Sequence, residues 1–305
     1  MRQLTSCLAA LLLLPMLLRA DEPAKARTVD EIKKKLAEIT APPAQEPDGA
    51  AGERAAALRR LKAYRYLAGI PYDDITLDDD ANAACEAGAR LCAKLGRLDH
   101  KPDNPGLPEE EYQFAYKGTS RSNLGYGYRN LTKAVELWMD DSDAGNISRL
   151  GHRRWCLNPT MQKTGFGRFG DYTAMYVFDR NRKEVPDYDF VSWPPRGRMP
   201  VEYIKAGSAW NVSVNPRKYN APGEDVTAKV YAADKEGKKV GEPLKLNYSG
   251  ADTNGFGIPN CIIFRVEKAS IAPGKRYVVE IEGLTTGKEK KPAPVQYDVE
   301  FVSVK

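Results

Sequence analysis

"RLGHRRWCLNP" occupies residues 149–159 and carries one of only two histidines in 305 residues. The other, His100, lies in "LGRLDHKP" at 95–102. An imidazole can ligate a metal, move a proton or hold a polar core together. An isolated histidine most simply bonds a backbone carbonyl and fixes a loop. Here both sit among polar segments. Ser122 and Asn123 lie in "SRSNLGYG", and Asp140, Asp141 and Asp143 in "WMDDSDAGN". Two histidines alone make a poor zinc site, because zinc generally takes at least three protein ligands. A carboxylate from the second segment is the natural third. Arg153 and Arg154 can clamp an anion bidentately or pair with structural acids, for which the Asp-Ser-Asp segment is a ready partner.

Helical periodicity precedes this stretch. Leu58, Leu61, Tyr64 and Leu67 recur every three residues, and Gly69 with Pro71 ends that run. A second helix starts near Asp78-Asp79-Asp80, at the end of the helix dipole that favours acids. Ala81, Ala84, Cys85, Gly88, Leu91, Cys92 and Leu95 mark its small-residue face. It frays at Gly96, just before His100. Pro102, Pro105 and Pro108 predict a loop, and a third helix is expected over 131–140. The glycines of "TGFGRFG" at 164–170 let a strand approach its neighbour closely, and 172–178 reads as a buried strand. Without a strand–turn–helix frame, those glycines are no dinucleotide fingerprint. Residues 53–186 thus predict an α+β domain.

Beyond it the period becomes two. Trp210, Val212 and Val214 alternate with polar residues, and turn-prone segments such as "APGED" and "DKEGKK" punctuate further strands. Residues 201–305 predict a β-sandwich domain of immunoglobulin or fibronectin type, joined through a stiff connector at 187–200. Ala, Pro and Gly in 41–52 make 21–52 a flexible N-terminal segment.

Residues 1–20 read as a signal peptide: a positive start, then an apolar run too short to span a bilayer. Export permits disulfides. Of the five cysteines, Cys85, Cys92, Cys156 and Cys261 lie beyond the signal. Cys85 and Cys92 stand about 10 Å apart along one helix, outside disulfide reach. Cys92 with Cys156 is the preferred pairing, with buried free thiols as the alternative. The formal charge of +5 is mild for this length and has no strong basic block, so nucleic-acid binding is not indicated. No segment after the signal is apolar enough for a membrane span.

The order of these segments resembles the CAP superfamily: cysteine-rich secretory, antigen 5 and pathogenesis-related proteins, in its bacterial extracellular form. The likeness covers about residues 58–179. It rests on "LDH" (98–100), "SNLGYG" (122–127), "AVELWM" (134–139), "GHRRWCLNP" (151–159) and "GFG" (165–167). It implies a three-layer α-β-α sandwich in which the two histidines share a cleft with acidic residues. Those side chains bind a divalent metal in some members. The family's usual Glu-Asn appears here as Ser122-Asn123, and its second acid aligns with Asp141, so one carboxylate is lost and the other shortened. The expected cleft comprises His100, Ser122, Asn123, Asp141, Asp143, His152 and Arg153. A divalent metal such as zinc would use His100, His152 and Asp141. No cofactor is required. The expected function is a secreted, extracellular or periplasmic binding module, non-catalytic, for a small-molecule, lipid, glycan, peptide or protein ligand, or a divalent metal. The alternative is a metal-assisted extracellular hydrolase acting on peptide or cell-wall material.

Overall fold

The structure is a computed structural model that describes residues 27–305. The signal-peptide reading lies outside the described residues.

The first helix, α1 (Val29–Thr40), falls within the segment expected to be flexible. A capping box between Thr28 and Glu31 starts it, and Ile32 and Leu36 bury one edge. Arg27 donates to the carbonyls of Tyr66 and Leu67 and lies over the Tyr66 ring. The segment is short and charged, but two apolar residues one turn apart suffice to dock it.

α2 (Gly49–Leu67) buries Leu61, Tyr64 and Leu67. Its Arg65 is wholly buried, donating to the carbonyls of Pro71, Cys156 and Asn158. After β1 (Thr76–Leu77), α3 (Asp79–Leu95) begins under the Asp78 side chain, which accepts from the Ala81 amide. It ends at Gly96 in the left-handed region, φ 68°. α4 (Glu109–Ser120) occupies much of the stretch expected as loop. Pro108 caps it and three glutamates fill its first turn, where the dipole favours them. The proline run shapes only the approach.

β2 (Ser122–Tyr126), α5 (Leu131–Asp140), α6 (Gly151–Cys156), β3 (Lys163–Thr164), β4 (Phe166–Phe169) and β5 (Tyr172–Tyr176) complete the first region. β2, β5 and β4 form an antiparallel sheet in that order, and β1 pairs with β3 in parallel. The period-two rule sorts the sheet's side chains. Leu124 and Ala174 join Cys85 and Cys92 of α3. Phe166 and Met175 join the core that contains α2 and α5. Helices therefore cover both faces. Gly167 fixes the spacing on the α3 side: a Cβ there would stand 2.0 Å from the Glu86 nitrogen. On the other side, Trp138 of α5 donates its indole N–H to the Leu124 carbonyl, 2.9 Å away.

The expected connector is instead the start of the C-terminal β-rich region. It holds β6 (Phe190–Trp193) and β7 (Gly197–Pro200). There follow a 3-10 turn (Val201–Tyr203), β8 (Trp210–Val214), β9 (Thr227–Ala233), β10 (Lys239–Val240), β11 (Leu246–Asp252), β12 (Cys261–Val266), β13 (Arg276–Glu282), β14 (Thr285–Thr286), β15 (Lys291–Pro292) and β16 (Val295–Val302). One sheet runs β10-β9-β13-β16-β7 and the other β11-β12-β8-β6; β14 pairs with β15. Tryptophan and proline stiffen 187–200, but its Val191, Trp193 and Met199 are buried, which makes it strand rather than tether.

One apolar core spans both regions, from Leu61 and Trp138 to Trp193, Trp210 and Phe301. The four cysteines among the described residues are buried free thiols; Cys92 lies beside Cys85 in one cluster and Cys156 in another, so the Cys92–Cys156 pairing is not made.

Candidate functional site

Asp141 terminates α5 in the left-handed conformation, φ 45°. That turn carries its carboxylate back over the first residues of α6. Oδ2 accepts from the His152 amide at 2.9 Å and the Arg153 amide at 3.3 Å. Oδ1 lies 2.7 Å from His152 Nδ1. A carboxylate acceptor sets Nδ1 as the protonated nitrogen and leaves Nε2 for a ligand. His100 is set the same way: its Nδ1 faces the Thr119 carbonyl at 3.0 Å.

Both imidazoles line one cleft of about 560 Å³, within the range of small-molecule sites. Ser122 and Asn123 line it too, so four of the seven expected residues converge. Ser122 is buried, its hydroxyl 3.5 Å from the Cys85 sulfur. Asn123 donates to the His152 carbonyl at 3.0 Å, tying β2 to α6.

The other three lie elsewhere. Asp141 sits behind His152 with its side chain only 1 % exposed. Asp143 closes its own turn, accepting from the Gly145 amide and the Asn146 side chain. Arg153 is fully buried and clamps structure, not ligand. It donates to the carbonyls of Met139, Asp140 and Ala209 and to Asn211 Oδ1. Burial lowers its pKa, partly countered by Asp141 and Asp140. Arg154 pairs with Asp252 at 2.6 Å and donates to the carbonyls of Arg149, Asn254 and Ile258. The two arginines fasten α6 to the C-terminal region. The acidic partner is Asp252 on β11, not the nearby Asp-Ser-Asp segment.

Sequence reasoning missed most of the remaining lining. Lys101, Arg149 and Arg180 add positive charge. Trp155 and Phe178 stack at 4.5 Å and 27°. Gly255 and Phe256 arrive from the loop after β11. Lys101 and Arg149 lie within the two quoted histidine stretches and were within reach. Phe256 belongs to no periodic pattern and gave no signal.

The donor set does not fit a zinc ion. Asp141 is committed to Nδ1 and two backbone amides, leaving two imidazoles with neutral oxygens and amide groups. Among the described residues, no three His, Cys, Asp or Glu side chains group as metal ligands.

Residues 58–178 match the CAP family model, described as the cysteine-rich secretory protein family. This segment is a CAP domain. No curated protein and no solved structure matches the chain. The CAP domain contains every motif named above, and its cleft borrows a wall from outside its own boundaries. No helix among the described residues is long and apolar enough to cross a membrane.

Proposed function

We propose that the protein is an exported, non-catalytic binding module whose CAP cleft takes an organic anion. One observation carries this reading. The charged side chains lining the cleft are Lys101, Arg149 and Arg180, beside two imidazoles and without a carboxylate. Such a lining favours an acidic ligand over a metal cation. Ser122 has no partnered base among its hydrogen bonds, which supports binding rather than acyl transfer. The C-terminal sheets, read as an immunoglobulin- or fibronectin-like sandwich, serve as spacer and as one wall. Export rests on the signal-like residues 1–20.

The test is calorimetric titration with 2-naphthoate and its neutral counterpart 2-naphthamide. The acid binds, more weakly in high salt, and Arg149→Ala with Arg180→Ala abolishes the difference between the two. Equal binding of acid and amide would overturn the reading. Zinc chloride is titrated in parallel. Heat that vanishes in both His100→Ala and His152→Ala would replace this reading with the metal-dependent alternative.

A further inference from the structure

We infer that Phe256 of the C-terminal region determines specificity in the CAP cleft, selecting anions that carry a flat apolar body. This rests on the reading of the cleft as an anion site.

The loop from Asp252 to Ile258 is tethered through Asp252 and Arg154. Asp252 Oδ1 accepts from the Asn254 amide and side chain, while its Oδ2 takes Arg154. Arg154 also draws in the carbonyls of Asn254 and Ile258, on either side of Phe256. Its guanidinium carbon lies 5.3 Å from the Phe256 ring centroid.

Two glycines permit the approach. A Cβ on Gly151 would come within 3.2 Å of the Phe256 ring. Gly257 has φ +75°, and a Cβ there would meet the Arg154 carbonyl at 2.8 Å. Phe256 is therefore pressed over the start of α6 at Gly151 and lines the same cleft as His152.

The cleft also carries the stacked Trp155–Phe178 pair, and Phe178 is 46 % exposed. Aromatic rings from the CAP domain and from the β-rich region thus line one cleft together with Lys101, Arg149 and Arg180. A carboxylate near Arg149 or Arg180 can leave a planar body against these rings. Aromatic faces favour flat partners through stacking geometry, beyond the area they bury. A CAP domain cut from the β-rich region would keep both histidines and lose this wall.

The experiment compares two acids of equal charge, flat 2-naphthoate and puckered cyclohexanecarboxylate, by calorimetry on the full described chain. Wild type prefers 2-naphthoate. Phe256→Ala lowers 2-naphthoate affinity about five-fold, the scale of one aromatic contact, and leaves cyclohexanecarboxylate within about two-fold. Phe256→Tyr keeps the wild-type ratio. Thermal unfolding and near-ultraviolet dichroism confirm the fold; should the alanine variant not fold, Phe256→Leu is read for the same ratio. An unchanged ratio, or an equal loss for both acids, overturns the role of Phe256 and leaves anion binding standing. Wild type that binds neither acid overturns both.

Discussion

Arg154→Met removes one charge from the seam between the CAP domain and the β-rich region while keeping most of the side-chain volume. The Arg154 side chain is 0 % exposed and its partner Asp252 8 %. After substitution, Asp252 Oδ1 keeps the Asn254 amide and side chain, but Oδ2 loses Arg154. The carbonyls of Arg149, Asn254 and Ile258 lose their guanidinium donor as well. Removing one partner of a buried pair costs about 3–5 kcal/mol, because the other charge stays desolvated and unpaired. The surviving Asn254 bonds place this case near the lower end, about 3 kcal/mol. Equilibrium urea unfolding, followed by tryptophan fluorescence and far-ultraviolet dichroism, reads the midpoint and the slope. Adding Asp252→Asn to Arg154→Met recovers part of the loss, since no charge is then left alone. Lys245→Met is the control. Its pair with Glu267 leaves the lysine 77 % exposed, and exposed pairs contribute about 0–1 kcal/mol. If Arg154→Met and Lys245→Met destabilise equally, the seam does not depend on this bond and the reasoning fails.

Chemical and mutational tests reach other parts of the molecule. Burial pushes the Cys85 and Cys156 thiols up to about 12. Protein lacking residues 1–26 should show no fast-reacting thiol when native and four when denatured; two would indicate a disulfide. These two thiols ionise more readily unfolded than folded, so their contribution to stability falls as pH rises above the unfolded value of about 9. Cys85→Ala should therefore lose less of its midpoint than wild type above that pH, since only part of the thiol contribution is removed; identical pH profiles would contradict it. Gly167→Ala forces β4 off α3 and should cost about 1–3 kcal/mol in chemical denaturation; a neutral result would mean the sheet has slack there. Asp141→Asn weakens its hold on His152 and should cost about 1–3 kcal/mol while loosening 2-naphthoate binding. Unchanged affinity would separate the ring's orientation from ligand capture.

Periodic apolar faces made much of the CAP domain legible. α5 lies where Ala134, Val135 and Trp138 place it, and Gly165–Phe166–Gly167 leads into a tightly apposed strand. The family resemblance carried by the ordered histidine segments also implied a shared cleft. What stayed hidden depended on tertiary partners. α1 looked like part of a loose arm because Ala, Pro and Gly fill the stretch after it, yet Ile32 and Leu36 meet a surface that exists only after folding. Residues 187–200 looked like a tether because prolines separate two short strands that join different sheets. Arg153 and Arg154 offer the same guanidinium chemistry to a ligand or to a carbonyl. The choice was made by Ala209, Asn211 and Asp252, 56 to 98 residues away. Asp143 had the right charge but spent it on its own turn.

The parallel pairing of β7 with β16 joins Gly197 to Val299, and Arg198 of β7 also grips the Arg27 carbonyl just before α1. A search across so much intervening chain carries a large entropic toll before any contact repays it. Acquisition of the native state should accordingly be slow and concerted, with early collapsed forms exposing sticky surface until that strand is inserted. In a cell, this delay would lengthen the interval during which helper proteins must shield the chain.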